Sequence, residues 1–255
     1  MMRFILKFFE INILKTVLLN FKLFSFGIGI RFPIIVYGKY TIFHLMSLHK
    51  GQIELQCPCK TGMVRLNRRI GYNIGNGLKG SLYLRGKLII KGICDIGQGC
   101  NISIREGAIM EISDNLSITG ASKINVYDFF KLGRNVFVSW NVQIHDTDYH
   151  YFIKDDRIFP RNGRIEIGDN VWIGHDVTIS KGAVVPPDSI VASNSMINSK
   201  YNDSEGGLLI AGIPAKVIRS NVQPINNYNM DAKIDSFLRK YQKDFEVGIL
   251  SSVFD

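Results

Sequence analysis

Apolar residues recur at every sixth position through the second half of the chain: Ile167, Ile173, Ile179, Val185, Val191 and Ile197. Val171, Val177, Ala183, Ser189 and Ser195 stand four places after each of the first five. A helix repeats at 3.6 and a half-buried strand at 2, so neither produces a clean six. A coil of short strands does. If each flat side spans six residues, every side turns one branched aliphatic inward and keeps one small residue near its corner. The pattern therefore predicts a mainly β chain built as a parallel β-helix of hexapeptide repeats.

The same beat recurs in patches upstream, at Ile96 and Ile102, at Ile112, Ile118 and Ile124, and at Leu132, Val138 and Ile144. Short insertions at 103–111 and 125–131 shift its phase. A longer interruption, HDTDYHYFIKDDRIFPRNGR over 145–164, precedes its return at Ile167. An excursion of this length from a regular coil marks a candidate functional loop. The expected layout is an amino-terminal helical segment over 1–50, the β-helix over 51–220, and a tail over 221–255. In the tail, Ile234, Phe237, Leu238, Tyr241 and Phe245 at 3–4 spacing predict an amphipathic helix closing the coil.

Composition sharpens this picture. The 255 residues are 46% hydrophobic and 21% charged, enough for a real core, and 24 glycines against 7 prolines suit tight corners. The net charge of +9 favours anionic partners. No run of five Lys/Arg and no nucleic-acid motif is present, so nucleic acid is not expected among them. Cys57, Cys59, Cys94 and Cys100 lack paired C-x-x-C spacing and read as reduced thiols of a cytoplasmic protein, with Cys100 at a core position. The first fifty residues carry seven Lys/Arg and one acid, Glu10, within an apolar stretch. No window of about twenty is free of charge, so a spanning helix is not expected. Two readings stay open: a helix shielding an exposed strand edge of the coil, or a segment (residues 1–30) resting on an anionic membrane.

IGDNVWIGHDVTISKGAVVPPDSIVASNSMI, followed by AGIPAKVIR, resembles the hexapeptide-repeat acyltransferases. Within them it is most similar to the maltose/galactoside O-acetyltransferases and to those that decorate capsule and O-antigen polysaccharide. The resemblance is strong over about 130–220 and looser upstream. It implies a left-handed β-helix, a homotrimer, acetyl-CoA as acyl donor bound between neighbouring coils, and a sugar or oligosaccharide acceptor.

Family members use a histidine in a loop about two dozen residues before the tryptophan of N-V-W-I-G, here Trp172. His150 lies 22 residues earlier and His145 lies 27 earlier. Spacing, and a D-x-D-x-H pattern with histidine last, favour His150 as catalytic base, with His145 as the second candidate. An imidazole with an ordinary pKa near 6.5 suits the work of taking a sugar hydroxyl's proton during attack on a thioester. Asp148 is a candidate orienting carboxylate, and Asp146 and Tyr149 are candidate acceptor contacts. Trp172 reads either as a hydrophobic plug at a coil corner or as a wall near the acceptor. His175, at an outward position, reads as surface.

For the donor, the resemblance implies Gly174, Ala192 and Ser193 along the pantetheine arm, and Lys216 and Arg219 near the phosphates. The chain departs from the family here, reading A-S-N-S where relatives read G-A-G-S. No metal site is expected. Alternatives are an N-acetyltransferase of a nucleotide-linked amino sugar, a non-catalytic trimeric scaffold, and a zinc enzyme resembling the γ-class carbonic anhydrases. The last would use histidines five apart, but lacks a third upstream, because no histidine lies between His49 and His145.

Overall fold

A computed structural model of the chain describes residues 10–39, 41, 42, 45, 48–71, 77–201 and 207–241. Residues 1–9 of the amino-terminal segment and Phe245 of the tail stripe lie outside the described residues. The chain winds as a parallel β-helix of three faces. The first coil is β1 (Ile34–Val36), β2 (Thr41–Ile42) and β3 (Ile53–Leu55), and the second is β4 (Val64–Arg68), β5 (Ser81–Leu84) and β6 (Lys87–Ile90). The third is β7 (Cys94–Gln98), β8 (Asn101–Ile104) and β9 (Ile109–Ile112), and the fourth is β10 (Leu116–Gly120), β11 (Lys123–Val126) and β12 (Phe129–Leu132). The fifth runs β13 (Phe137–Trp140) and β14 (Gln143–His145), then leaves the coil in a hairpin, β15 (Phe152–Lys154) and β16 (Arg157–Phe159), before β17 (Ile165–Ile167). The sixth is β18 (Trp172–Ile173), β19 (Thr178–Ser180) and β20 (Val184–Val185), followed by β21 (Ile190–Val191), β22 (Met196–Ile197), β23 (Leu209–Gly212) and β24 (Ala215–Arg219).

Each strand of a coil stacks on its counterpart in the next coil, in parallel register. The beat of six is the inward row. Ile167, Ile173, Ile179, Val185, Val191 and Ile197 are all buried, as are the residues four places later. Two of those later residues, Ser189 and Ser195, accept bonds from Leu208 N (3.3 Å) and Gly212 N (3.1 Å), so their buried hydroxyls tie one coil to the next. Cys100 sits in the same core, where burial pushes its thiol up to about 12.

Corners need a left-handed backbone, which Asn and Asp tolerate better than other non-glycine residues. Asn115, Asn135, Asn170 and Asp188 take it, with φ of 59°, 56°, 52° and 57°, where the third face turns into the first. Their side chains form a ladder: Asn115 donates to Asn135 (2.7 Å), Asn135 to Asn170 (2.8 Å), and Asn170 to Asp188 (2.7 Å).

The coil begins earlier than 51, at Ile34, directly after a helix, α1 (Ile13–Leu23), and a single helical turn, α2 (Phe26–Gly29). Thr16, Leu19, Asn20 and Leu23 of α1 are buried against β1. Asn20 donates to Ile34 O (2.7 Å) and accepts from Ile34 N (3.1 Å), while Thr16 Oγ1 accepts from Val36 N (3.0 Å). Two polar side chains thus stand in for the missing neighbour of an edge strand, as the shielding reading expects. At the other edge β24 folds back antiparallel on β23. The tail then runs along the flank, where Asn226 donates to Asn135 O (3.0 Å), and ends in α3 (Tyr228–Tyr241), with Ile234, Phe237 and Leu238 partly buried. Among the described residues no helix is long and apolar enough to cross a membrane.

Candidate active site

The second face repeats after 18 residues between Thr178 and Met196, but takes 35 between Gln143 and Thr178. The excess of 17 leaves the coil at the corner between the second and third faces. Its root is Asp146, which is fully buried. One carboxylate oxygen accepts from Tyr127 N (2.7 Å) and the other from Asp128 N (2.8 Å). Burial raises its pKa, and these backbone bonds act against that rise. Asp146 is therefore not an acceptor contact as expected: its oxygens are occupied one coil below, and it positions the loop from beneath.

Above it the loop closes on itself. Thr147 bridges Asn162, Asp148 N donates to Arg161 O (2.8 Å), and Gly163 N donates to Asp146 O (2.8 Å). Tyr149 takes a left-handed backbone (φ 63°), its N–H donating to Thr147 Oγ1 (3.0 Å). Lys181, not singled out from the sequence, is the clamp. Its ammonium pairs with Asp148 Oδ2 (2.5 Å), donates to Pro160 O (2.7 Å) and stands 5.6 Å from the Phe152 ring. Asp148 thus faces a lysine rather than hydrogen-bonding a histidine. Lys181 lies one residue after β19, the coil neighbour of β14, so only the stacking of coils brings it to the loop.

The two histidines differ in setting. His145 ends β14, opposite Asn125 and Ser180, and is half-buried. Burial lowers its pKa and the Asp148 charge partly restores it. Its ring lies 6.3 Å from that of Tyr149. His150 is exposed at a bend just before the hairpin, and among the described residues no hydrogen bond or ion pair holds its ring.

The other expected residues lie elsewhere on the prism. Trp172 opens β18 on the outside of the first face, where its indole N–H donates to Ser139 Oγ (3.3 Å). It is no corner plug. With Phe137, Ile190, Pro224 and Ile225 it walls a cleft of about 440 Å³ between that face and the tail. At the corner between the first and second faces, a Cβ on Gly174 would stand 2.6 Å from Ser193 N, so only glycine permits the two coils to approach there. Ser193 Oγ accepts from His175 N (3.2 Å) and Ala192 N donates to Ile210 O (2.9 Å). His175 is not bare surface: it stacks on Trp140 (4.5 Å between centroids) and pairs through Nδ1 with Asp176 (2.7 Å). Hydrogen bonds from Asn141 and His175 hold the Asp176 carboxyl below its ordinary value. Lys216 and Arg219 are exposed on β24. Among the described residues no hydrogen bond, ion pair or ring contact joins the loop 146–163 to Trp172, Lys216 or Arg219.

No family model matches the chain. It is 33% identical over 138 residues to an uncharacterized 24.8 kDa protein in the cps region of Klebsiella pneumoniae, covering 54% of this chain and 60% of that protein. It is 32% identical over 111 residues to the galactoside O-acetyltransferase of Escherichia coli strain K12, covering 41% of this chain and 51% of that enzyme. Over the repeat region the chain is thus similar to a sugar O-acetyltransferase and to a protein of a cps region. The chain spans between half and three-fifths of the length of these two relatives. Among solved structures, the polysialic acid O-acetyltransferase OatWY superposes with a TM-score of 0.47 at 19% identity, over 78% of this chain and 96% of that one.

Proposed function

We propose that the chain is an acetyl-CoA-dependent O-acetyltransferase acting on a sugar hydroxyl of a surface polysaccharide or its precursor, with His150 as general base. The observation that carries this reading is the 17-residue excursion, locked at its root by Asp146 and clamped by Lys181, which presents one exposed imidazole from a rigid prism. The acceptor oxygen attacks the thioester carbonyl as the imidazole takes its proton. The carbon–sulfur bond then breaks, and the proton passes to the leaving thiolate to give free CoA. General-base assistance of this kind contributes ~10²–10⁴-fold. His145, half-buried at the end of a strand, is the less accessible ring.

A second copy of the chain supplies the other half of the site in this reading, and a homotrimer is the assembly that closes it. The Trp172 face, the Gly174–Ser193 corner and the Lys216 and Arg219 charges of one copy meet the loop of its neighbour, with the acetyl donor in the crevice. The bare outer side of α1, where Ile13, Leu14, Val17 and Leu18 are exposed beside Lys15 and Lys22, suits peripheral contact with an anionic membrane. This would place the enzyme at the cytoplasmic face, where activated sugars are handled.

The test is release of free thiol from acetyl-CoA across a panel of polysaccharide repeat units. His150→Ala is expected to lower kcat by ~10²–10⁴-fold, while His145→Ala retains transfer. A dead His145→Ala beside an active His150→Ala reverses the assignment.

A further inference from the structure

Below the excursion, the corner between the second and third faces carries a set of cations that the mechanism does not use. Arg85, Arg105 and Tyr127 follow β5, β8 and β11, so successive coils place them one above another. With Tyr149, Arg161 and Asn162 they line an open cleft of about 420 Å³, in which Glu106 is the one carboxylate. The guanidinium of Arg105 lies between the rings of Tyr83 (5.6 Å) and Tyr127 (5.1 Å) and donates to the Tyr127 hydroxyl (3.1 Å). Arg85 stands over the other flank of Tyr83 at 5.8 Å, and Arg161 over Tyr151 at 5.1 Å. Among the described residues none of these three arginines forms a salt bridge. Nε of Arg161 and Oδ1 of Asn162 are shielded from solvent without a hydrogen-bond partner.

Three guanidiniums held by aromatic faces, none of them in a salt bridge and with Glu106 the one acid against them, form a pre-organised receptor for an anion, since a guanidinium offers planar paired donors that match a carboxylate. The tyrosine rings add an apolar wall with polar tips, suited to the mixed surface of a sugar. Tyr149 joins the cleft to the excursion: it lines the one, and precedes His150 by one residue in the other. We propose that this cleft binds a carboxylate-bearing sugar of the acceptor glycan, so that the enzyme selects acidic polysaccharide. The inference rests on the acetyltransferase reading and assigns its substrate class. The competing occupant is the anionic acyl donor, whose phosphates offer related chemistry.

The experiment uses the full chain, acetyl-CoA, and oligosaccharides containing uronic or sialic acid, each in native form and with its carboxyls reduced to alcohols. Thiol release and affinity electrophoresis in gels containing each polysaccharide read transfer and binding. At least one acidic member is expected to bind and accept acetyl at least tenfold better than its reduced form. Arg105→Gln and Arg161→Gln should each raise KM for that acceptor about tenfold with KM for acetyl-CoA unchanged, and Arg105→Lys should recover only part of the loss. Equal response to native and reduced forms, or response to neither, overturns the proposal, as does a rise in KM for acetyl-CoA instead. Equilibrium dialysis of acetyl-CoA against the wild-type chain tests the underlying reading separately. Donor binding with no acidic preference sinks the cleft alone, and no donor binding sinks both.

Discussion

The coils from Ile165 to Ile197 and the excursion they follow are built on opposite terms. In the coils every sixth side chain is buried, corners fall on Asn, Asp or Gly in left-handed backbone, and strands find their partners in the next coil. In the excursion both strands of the hairpin are exposed, pairing is antiparallel, and the structure depends on single contacts such as Asp146 to Tyr127 and Asp148 to Lys181. Yet the ladder passes beneath it without a break, since Ile144 pairs with Ile179 and Ile179 with Ile197. Stability and the proposed chemistry thus sit on different residues. The coil holds a register independent of the loop, and the loop sets an imidazole without disturbing the core.

That separation can be broken by substitution. Ile179→Ala removes a fully buried side chain from the stack and should cost about 2–5 kcal/mol in denaturant unfolding. Activity per folded molecule should be retained, and a loss of chemistry out of proportion to stability would join the two regions. Asp146→Ala strips the acceptor from two backbone N–H groups and should cost about 1–3 kcal/mol, with transfer falling further than stability. Unchanged kcat there would mean the loop is not held from beneath. Lys181→Met severs a partly exposed ion pair and should shift stability by no more than ~1 kcal/mol, while slowing transfer severalfold.

The smallest effect concerns pH. The folded-state pKa of His145 is lowered, so on acidification the unfolded chain binds this proton first. Its contribution is fully present above the unfolded value near 6.5 and is lost as pH falls through the folded value. His145→Asn should flatten the stability profile in that window, measured by urea midpoints across pH. An identical profile in the variant would show that the ring is not buried in solution.

How much was legible in the sequence follows the same division. The six-residue beat reads out the later coils because nothing interrupts it, and it places Ile167 to Ile197 inward. The earlier coils are longer: 20 residues separate Ser81 from its partner Asn101, and 22 separate Asn101 from Lys123. Their extra corner residues blur the period. The first strand at Ile34 is hidden by the apolar, basic character of α1 before it, since a three-residue strand has too little pattern of its own. In the loop, D-T-D-Y-H can be read as chemistry, but only the coil below reveals that Asp146 is spent on Tyr127 and Asp128. Arg85 and Arg105 stand 20 apart, one coil length, a signal present in the sequence. It falls on corners, where hydrophobic periodicity carries no information.

The central claim is that the imidazole of one copy works against the groove of another. Two inactive variants test it, His150→Ala and Ser193→Trp, the second filling the corner beside Gly174. Each alone is expected to be dead in thiol release. Unfolded together in equal amounts and refolded, they should regain about a quarter of wild-type activity, because in a symmetric ring that share of adjacent pairs unites an intact loop with an intact groove. Mixed material as inactive as its parents, under conditions where wild type refolded alone is active, would place the whole site within one chain and contradict the account.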